Sequence, residues 1–130
     1  MLENSKAYSG IGIDDVESAK RFYGETLEQQ VEVLDEEHGL LQMHLAGERP
    51  TLLYRSPGMS PASYTVLNFP VAEIEAAVDH LVARGVVFER YEGFDHDENG
   101  IVRGNGRGPD IAWFKDPSGN VLSVHSDPGA

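Results

Sequence analysis

Two histidines on predicted strands are the first candidates for chemistry in this sequence. His44 and His125 both occur in runs where apolar and polar residues alternate, which is the period of a β-strand. Imidazole exchanges a proton near neutral pH, so either residue could act as a general acid or base, and the Tyr8 phenol is a third candidate. The alternative is that each histidine simply occupies a polar strand face or a strand end.

A second candidate is the polar, glycine-rich segment 94–108, FDHDENGIVRGNGRG. Asp95, Asp97 and Asn99 match the first half of a calcium-binding loop, in which alternate oxygen ligands precede a glycine. The position of the bidentate Glu that such a loop needs is Gly106, and no helix pattern flanks the segment. We therefore expect an insertion between strands, and a lid over a binding site is one role for it.

The composition excludes several classes of function. The chain has 130 residues with 22 acidic and 10 basic side chains and a formal net charge of −12, so it would repel nucleic acid or an anionic membrane. It contains no Cys, which excludes disulfides and thiolate sites. A signal-peptide pattern and a run of about 18 apolar residues are both missing. We expect a single cytoplasmic domain, 1–130, that binds neither nucleic acid nor membrane.

Two segments have the periodicity of amphipathic helices. In DDVESAKRFYGETL (14–27) apolar residues recur at helical spacing, Asp14 is the expected N-cap and Glu17 completes a capping box. The second helix, VAEIEAAVDHLVAR (71–84), ends at Gly85. Its predicted apolar stripe consists of Ile74, Val78, Leu81 and Val82.

Strands account for most of the remaining chain. AWFKDPSGNVLSV (112–124) predicts a hairpin, because Asp-Pro-Ser-Gly-Asn favours a tight turn and the run after it alternates like a half-buried strand. In the first strand Gly10 and Gly12 leave one face bare, so that other groups can approach the backbone closely. The expected strands are 7–13, 29–36, 39–46, 49–56, 63–69, 86–93, 109–116 and 120–126.

The order strand, helix, strand, strand, strand occurs twice. With an offset of 58 residues Ile13 falls on Val71 and Glu17 falls on Glu75, so we expect a duplicated βαβββ unit. The expected bounds are 7–56 for the first module, 57–61 for a linker and 62–128 for the second module. Since one helix cannot cover both faces of a small sheet, the two sheets are expected to join or to face one another.

These patterns resemble the vicinal oxygen chelate superfamily of glyoxalase I, bleomycin-resistance proteins and extradiol dioxygenases. The similarity spans nearly the whole chain and is most specific in the DDVESAKRFYGETL helix and the FKDPSGNVLSV hairpin. It implies an α+β fold of two paired βαβββ modules that form a curved mixed sheet around a cleft. It also implies a homodimer, as in the bleomycin-resistance branch. One departure is Glu28, where the family usually has Gly.

The resemblance also implies where a metal would lie, and this sequence departs from the family there. Metal-dependent members take one ligand from the first strand and one from the last strand of each module. Here these positions correspond to Tyr8, Val66, Ser123 and either Leu52 or Leu53, with Ser123 standing where those members have Glu. Val, Leu and neutral Ser cannot hold a divalent metal. We therefore expect no metal and no other cofactor, with a displaced site that uses histidine ligands as the alternative.

Aromatic and polar side chains are expected to face the cleft that the resemblance implies. The predicted ligand-binding residues are Tyr8, Gln42, His44, Tyr54, Tyr64, Asn68, Trp113, Ser123 and His125. We expect them to bind a small organic molecule, and the acidic charge and aromatic rings are compatible with a cationic or aromatic one. One alternative is a lyase, isomerase or dioxygenase-type enzyme of the same superfamily. Another is an interaction module whose cleft is filled by its own side chains.

Overall fold

The computed structural model describes residues 1–130 and divides into two compact units, Met1–Ser60 and Pro61–Ala130. Each unit contains one β-sheet and one main helix. The protein is therefore of the mixed α+β class, as the sequence predicts.

The first unit has a mixed sheet of four strands. Its elements are β1 (Ser9–Ile13), α1 (Val16–Arg21), β2 (Gln30–Asp35), β3 (Leu40–Leu45) and β4 (Arg49–Arg55). The strand order is β1-β4-β3-β2, with β1 parallel to β4 and the other neighbours antiparallel. All four strands lie within the ranges expected from the sequence.

Helix α1 begins one residue later than predicted. The N-cap is Asp15, whose Oδ2 accepts a hydrogen bond from the Ser18 N–H at 2.8 Å, so the expectation of Asp14 in a capping box with Glu17 is wrong. Two adjacent aspartates can both cap, and the choice between them depends on where the preceding strand ends. The cap hydrogen bonds lower the pKa of Asp15.

After α1 the backbone continues as a π-helical segment, Phe22–Thr26. Tyr23 is completely buried in it, and Leu27 is buried at its end. The next residue, Glu28, has φ +58°. Glycine adopts this left-handed conformation freely, whereas a residue with a Cβ is strained in it. Glu28 therefore replaces the family's usual Gly at a position where the backbone conformation favours Gly.

The second unit has a sheet of three strands. Its elements are β5 (Thr65–Val71), α2 (Ile74–Ala83), β6 (Ile111–Lys115) and β7 (Val121–Ser126). The order is β5-β7-β6, with β5 parallel and β6 antiparallel to β7. Helix α2 ends before Gly85, as predicted. Three residues of its predicted stripe are buried, but Val82 is 53% exposed and is wrongly assigned to it.

The predicted strand 86–93 is reduced to an isolated bridge between Phe88 and Phe114. The Glu89 N–H still donates to the Trp113 carbonyl at 2.8 Å, but two residues later the Tyr91 N–H donates to His96 Nε2 at 2.9 Å. A side chain thus takes the donor that would extend the ladder along β6, and the strand prediction is wrong for this reason.

The hairpin between β6 and β7 forms as expected, and a carboxylate holds its turn. Asp116 Oδ1 accepts hydrogen bonds from the Ser118 and Asn120 N–H groups at 2.9 and 2.8 Å, and Gly119 has φ +93°. The strand that follows is not half-buried, because Val121–Val124 are all buried. As the central strand of its sheet, β7 is covered on both faces.

The two sheets share one pairing register, which supports the predicted repeat. Gly10 pairs with Leu52 in the first unit, and Asn68, which lies 58 residues after Gly10, pairs with Ser123 in the second. On the antiparallel side Leu52 pairs with Gln42, and Ser123 pairs with Trp113. Leu52 and Ser123 therefore hold equivalent positions, as do Gln42 and Trp113.

Candidate functional site

In the first unit the four-stranded sheet has one buried face and one face that is left partly uncovered. Strand residues of alternate parity, including Ile11, Leu41, Met43 and Leu53, are almost completely buried. Those between them point to the opposite side and are half-buried or exposed. We call this side the open face; its residues are Gly10, Gly12, Leu40, Gln42, His44, Leu52 and Tyr54.

A polar hollow of about 430 Å³ lies at the hairpin end of the open face. It is lined by Gln30, Gln42, His44, Leu45, Ala46, Glu48, Arg49 and Pro50. His44 pairs with Gln30 on one side and Pro50 on the other, so it stands in the middle of this row. Its Nε2 lies 3.6 Å from Glu32 Oε1, which is within ion-pair range. The hollow therefore offers amide, imidazole, carboxylate and guanidinium groups.

A smaller, mainly apolar hollow of about 200 Å³ adjoins the first. It is lined by Tyr8, Leu34, Gln42 and Leu52, so Gln42 contributes to both hollows. Tyr8 is 66% exposed and Leu34 is 48% exposed, so apolar surface of both side chains remains available to a ligand. A ligand that touches Gln42 could therefore contact polar groups on one side and an aromatic ring on the other.

The glycines of β1 admit the Tyr54 ring to the open face. A Cβ added to Gly10 would lie 3.3 Å from Tyr54 Cε1, closer than most such contacts. The prediction that these glycines leave room for a close approach is confirmed at Gly10. Tyr54 remains 39% exposed and borders the hollows without lining either of them.

In the second unit the central residue of the equivalent row is buried, and its neighbours contact other side chains of the same unit. Ser123 is completely buried, and its hydroxyl donates a hydrogen bond to Asn68 Oδ1 at 2.5 Å. Beside it, the Trp113 ring lies 5.3 Å from the Phe94 ring and 5.6 Å from the Tyr91 ring, measured between centroids. Three of the predicted ligand-binding residues, Asn68, Ser123 and Trp113, thus lie in one row but are engaged with each other or with this cluster.

His96 holds the aromatic cluster together, and the sequence patterns did not single it out. Its Nε2 accepts a hydrogen bond from the Tyr91 N–H at 2.9 Å, and its Nδ1 lies 2.8 Å from the Gly100 carbonyl oxygen, to which it must donate. These bonds fix the neutral imidazole with its proton on Nδ1. The ring also lies 6.1 Å from Trp113. Burial, followed by the nearby Glu89 charge, raises the pKa of Tyr91 in the same cluster.

The calcium-like motif in segment 94–108 builds a turn. Asp97 Oδ1 accepts hydrogen bonds from the Asn99 and Ile101 N–H groups, each at 2.9 Å. Isolated bridges from Val102 to His96 and to Ile111 then attach the segment to the edge of the sheet. The Asp97 carboxylate, one of the two that the motif would offer to calcium, is thus already used by the backbone.

Arg103 fixes the same segment to helix α2. Its guanidinium lies 2.6 Å from Glu75, 3.0 Å from Asp97 and 3.1 Å from Asp110. The hydrogen bond from Arg103 lowers the pKa of Glu75, and the Gly104 N–H followed by Arg103 lowers that of Asp110. Desolvation opposes the change at Asp97, but the backbone hydrogen bonds and Arg103 still lower its pKa.

The two remaining predicted ligand-binding residues do not join either hollow. Tyr64 is 71% exposed just before β5. His125 is half-buried near the end of β7, where its Nδ1 lies 3.3 Å from the Ser126 carbonyl oxygen. Of the three candidate acids or bases, Tyr8 and His44 therefore line the hollows and His125 does not.

Of the four positions that the resemblance assigns to metal ligands, only Tyr8 and Ser123 carry a side-chain oxygen. The register selects Leu52 rather than Leu53, because Leu52 is the equivalent of Ser123 and Leu53 points into the core. Leu52 and Val66 have no side-chain donor atom, and the Ser123 hydroxyl is hydrogen-bonded to Asn68. Across residues 1–130 no group of three or more His, Asp or Glu side chains is placed to hold a metal ion.

Solved structures of similar fold include antibiotic-binding and resistance proteins. The antibiotic-binding protein TnmS3 from Streptomyces sp. CB03234 is 25% identical, with a TM-score of 0.66 over 95% of this chain and 97% of that one. An integron cassette protein from the Halifax Harbour sewage outfall is 19% identical, with a TM-score of 0.69 over 94% and 99%. The fosfomycin resistance protein FosX from Listeria monocytogenes is 10% identical, with a TM-score of 0.68 over 95% and 93%.

The family of the chain follows from a family model rather than from individual curated proteins. None of the curated proteins matches the chain significantly. No helix in the structure has both the length and the apolar character required to cross a membrane. The family model described as Glyoxalase/Bleomycin resistance protein/Dioxygenase superfamily matches residues 7–124, which is most of the sequence. The chain therefore belongs to the glyoxalase/bleomycin resistance protein/dioxygenase superfamily.

Proposed function

We propose that this protein binds a small organic molecule on the open face of the first unit, without a metal at the family's ligand positions. The observation that carries the proposal is the difference between two equivalent faces. In the second unit Ser123 is completely buried and Trp113 packs against other aromatic rings, while in the first unit the equivalent Leu52 and Gln42 are half-buried and line a hollow.

The size and chemistry of the open face support a ligand rather than a structural role. Ligand sites for drug-sized molecules occupy about 300–1,000 Å³ and combine apolar walls with a few polar groups. The polar hollow of about 430 Å³ and the apolar hollow of about 200 Å³ meet at Gln42 and provide both. Tyr8 supplies an exposed ring on which a planar molecule could stack.

The comparison with TnmS3 is consistent with this function. That protein is described as antibiotic-binding and is 25% identical to this chain over nearly its whole length. We extend to the present chain only the broad class, a small organic ligand. We also propose, from the sequence and the family resemblance, a cytoplasmic homodimer.

An enzyme of the same superfamily is the second candidate, and one observation favours it. His44 lies in the polar hollow with Glu32 Oε1 3.6 Å from its Nε2, so the carboxylate can orient an imidazole that would face a ligand. A reaction would then require His44 to abstract or donate a proton. Turnover of a bound compound that is lost in His44→Gln, with binding retained, would favour this candidate over simple binding.

A thermal-shift screen of aromatic metabolites and antibiotics tests the proposed function. A ligand at 100 times its dissociation constant adds about 2.7 kcal/mol to the free energy of unfolding. The informative variant is Gln42→Trp, which places in the first unit the residue that fills the second. The control is Glu36→Trp, which adds the same ring at an exposed turn outside both hollows.

We expect compounds that stabilise the wild type and Glu36→Trp to leave Gln42→Trp unchanged. The proposal would be contradicted if no compound in a broad library stabilised the wild type. It would also be contradicted if Gln42→Trp, shown by its NMR spectrum to be folded, responded to the same compounds with the same affinity.

A further inference from the structure

The arginines of this chain differ in whether their charge is already used. Arg103 contacts three carboxylates, Arg90 donates to the Asp97 and Glu98 carbonyl oxygens, and Arg55 donates to that of Glu37. Arg49 is different, because its guanidinium makes no ion pair or hydrogen bond to the protein, although it lines the polar hollow. It is a cation available to a ligand.

The neighbours of Arg49 favour an anionic group as its partner. Gln30 and Gln42 bring amide donors to the same hollow, and His44 brings an imidazole whose charge, when it is protonated, is matched by Glu32. A guanidinium forms paired, charge-assisted hydrogen bonds with the two oxygens of a carboxylate. Arg49 is therefore the cation in the hollow whose charge still needs a counterion.

The negative net charge of the chain does not prevent an anion from binding at Arg49. The formal charge is −12, but charges further than about 8 Å away are largely screened at physiological ionic strength. A negative charge that would repel an anion is that of Glu48, which lines the same hollow and forms no ion pair with Arg49. Glu48 should weaken the binding of an anion, and this gives the inference a second, opposite test.

We propose that the polar hollow recognises a carboxylate on the ligand through Arg49, while the aromatic body of the ligand lies against Tyr8 and Leu52. This inference rests on the proposed function and specifies its ligand class as a planar aromatic carboxylate. It differs from the cationic ligand that the overall acidity favours. The distinction is between the negative charge of the whole chain and the one uncompensated positive charge at the site.

Two compounds of one shape test the proposal. 2-Naphthoate and 2-naphthamide share a planar ring system and differ in charge, and their affinities can be measured by protein-detected NMR at neutral pH. We expect naphthoate to bind about tenfold more tightly than naphthamide. Arg49→Gln should abolish that preference, whereas Glu48→Gln should raise the naphthoate affinity about threefold.

The control variant is Arg107→Gln. Arg107 is exposed in the second unit and lines neither hollow, and its loss changes the net charge of the chain as much as Arg49→Gln does. We expect Arg107→Gln to leave the preference for naphthoate within about twofold of the wild type, since a distant exposed charge is screened. Equal losses in the two variants would show a general charge effect and would overturn the proposal.

Two other outcomes separate this inference from the proposed function. If naphthamide binds as well as naphthoate and Arg49→Gln changes neither affinity, the carboxylate subsite is wrong but ligand binding on the open face stands. The same conclusion follows if neither naphthyl compound binds to a protein whose Gln42-dependent response to other compounds has been shown. If no compound produces a Gln42-dependent response, both proposals fail.

Discussion

Three strands of each unit pair in the same way, but the row that borders hollows in the first unit is packed at Ser123 and Trp113 in the second. In the first unit Gly10, Leu52 and Gln42 form a row that borders two hollows. In the second unit the equivalent row is Asn68, Ser123 and Trp113, where Ser123 is completely buried. A duplicated backbone thus need not carry two sites. Side-chain volume and hydrogen bonding decide which copy can take a ligand.

The largest expected effect on stability comes from removing the Trp113 ring from the second unit. Trp113→Gln places the first unit's residue in the second unit and removes a ring that packs against Tyr91, Phe94 and His96. We expect a loss of about 3 kcal/mol in the free energy of unfolding, measured with urea. Gln42→Ala on the open face should cost less than about 1 kcal/mol. Similar costs at the two positions would break the comparison.

Substitutions of His96 test whether its two hydrogen bonds hold the aromatic cluster of the second unit in place. His96→Leu removes both the acceptor for the Tyr91 N–H and the donor for the Gly100 carbonyl, so we expect a loss of about 2 kcal/mol. His96→Gln keeps one donor and one acceptor and should cost less. Trp113 is the single tryptophan of the chain, so its fluorescence reports directly on this cluster. An unchanged emission spectrum in His96→Leu would contradict the role assigned to His96.

The carboxylates around Arg103 predict a dependence of stability on pH. The pKa values of Glu75, Asp97 and Asp110 are lowered in the folded protein, so the unfolded chain binds more protons as the pH falls below about 5. The stability that these groups contribute is present at neutral pH and is lost in acid. Arg103→Gln should lower the urea midpoint at pH 7 and have a smaller effect at pH 3. An equal effect at both pH values would mean that these charges do not stabilise the fold.

The smallest expected effect concerns the ends of the two helices. The first helical segment is followed by Glu28 at φ +58°, and the second helix is followed by Gly85 at φ +93°. Glu28→Gly should therefore relieve strain and add about 0.5–1 kcal/mol to the free energy of unfolding. Gly85→Ala should have the opposite sign, because its Cβ would be strained at that φ. A destabilised Glu28→Gly variant would indicate that its side chain contributes more than the strain costs.

Local chemistry explains which parts of the fold could be predicted from the sequence. The hairpin around Asp116 could be predicted because its turn is held by bonds within five residues. Helical periodicity placed Ile74, Val78 and Leu81 in the core correctly. By contrast, strand 86–93 was wrong because His96, a loop side chain, takes the donor that its ladder needed.

The state of each face could not be predicted, because it depends on contacts between distant residues. The Ser123 hydroxyl is hydrogen-bonded to Asn68, which is 55 residues away in the sequence. The Trp113 ring packs against Phe94, which lies in a loop without a periodic pattern. Alternation put Gln42 and Trp113 on corresponding faces without indicating that Gln42 lines two hollows while Trp113 packs against other rings. Arg49 carries no sequence signal either, since its importance comes from lacking a partner in the folded chain.

The most direct measurement of the central claim is a map of amide chemical-shift changes on adding a compound selected by the thermal-shift screen. The account predicts that the largest changes fall on strands β1, β3 and β4 around Gly10, Gln42 and Leu52, with little change around Asn68, Trp113 and Ser123. Largest changes in the second group, with the first group unaffected, would contradict the assignment of the site to the uncovered face.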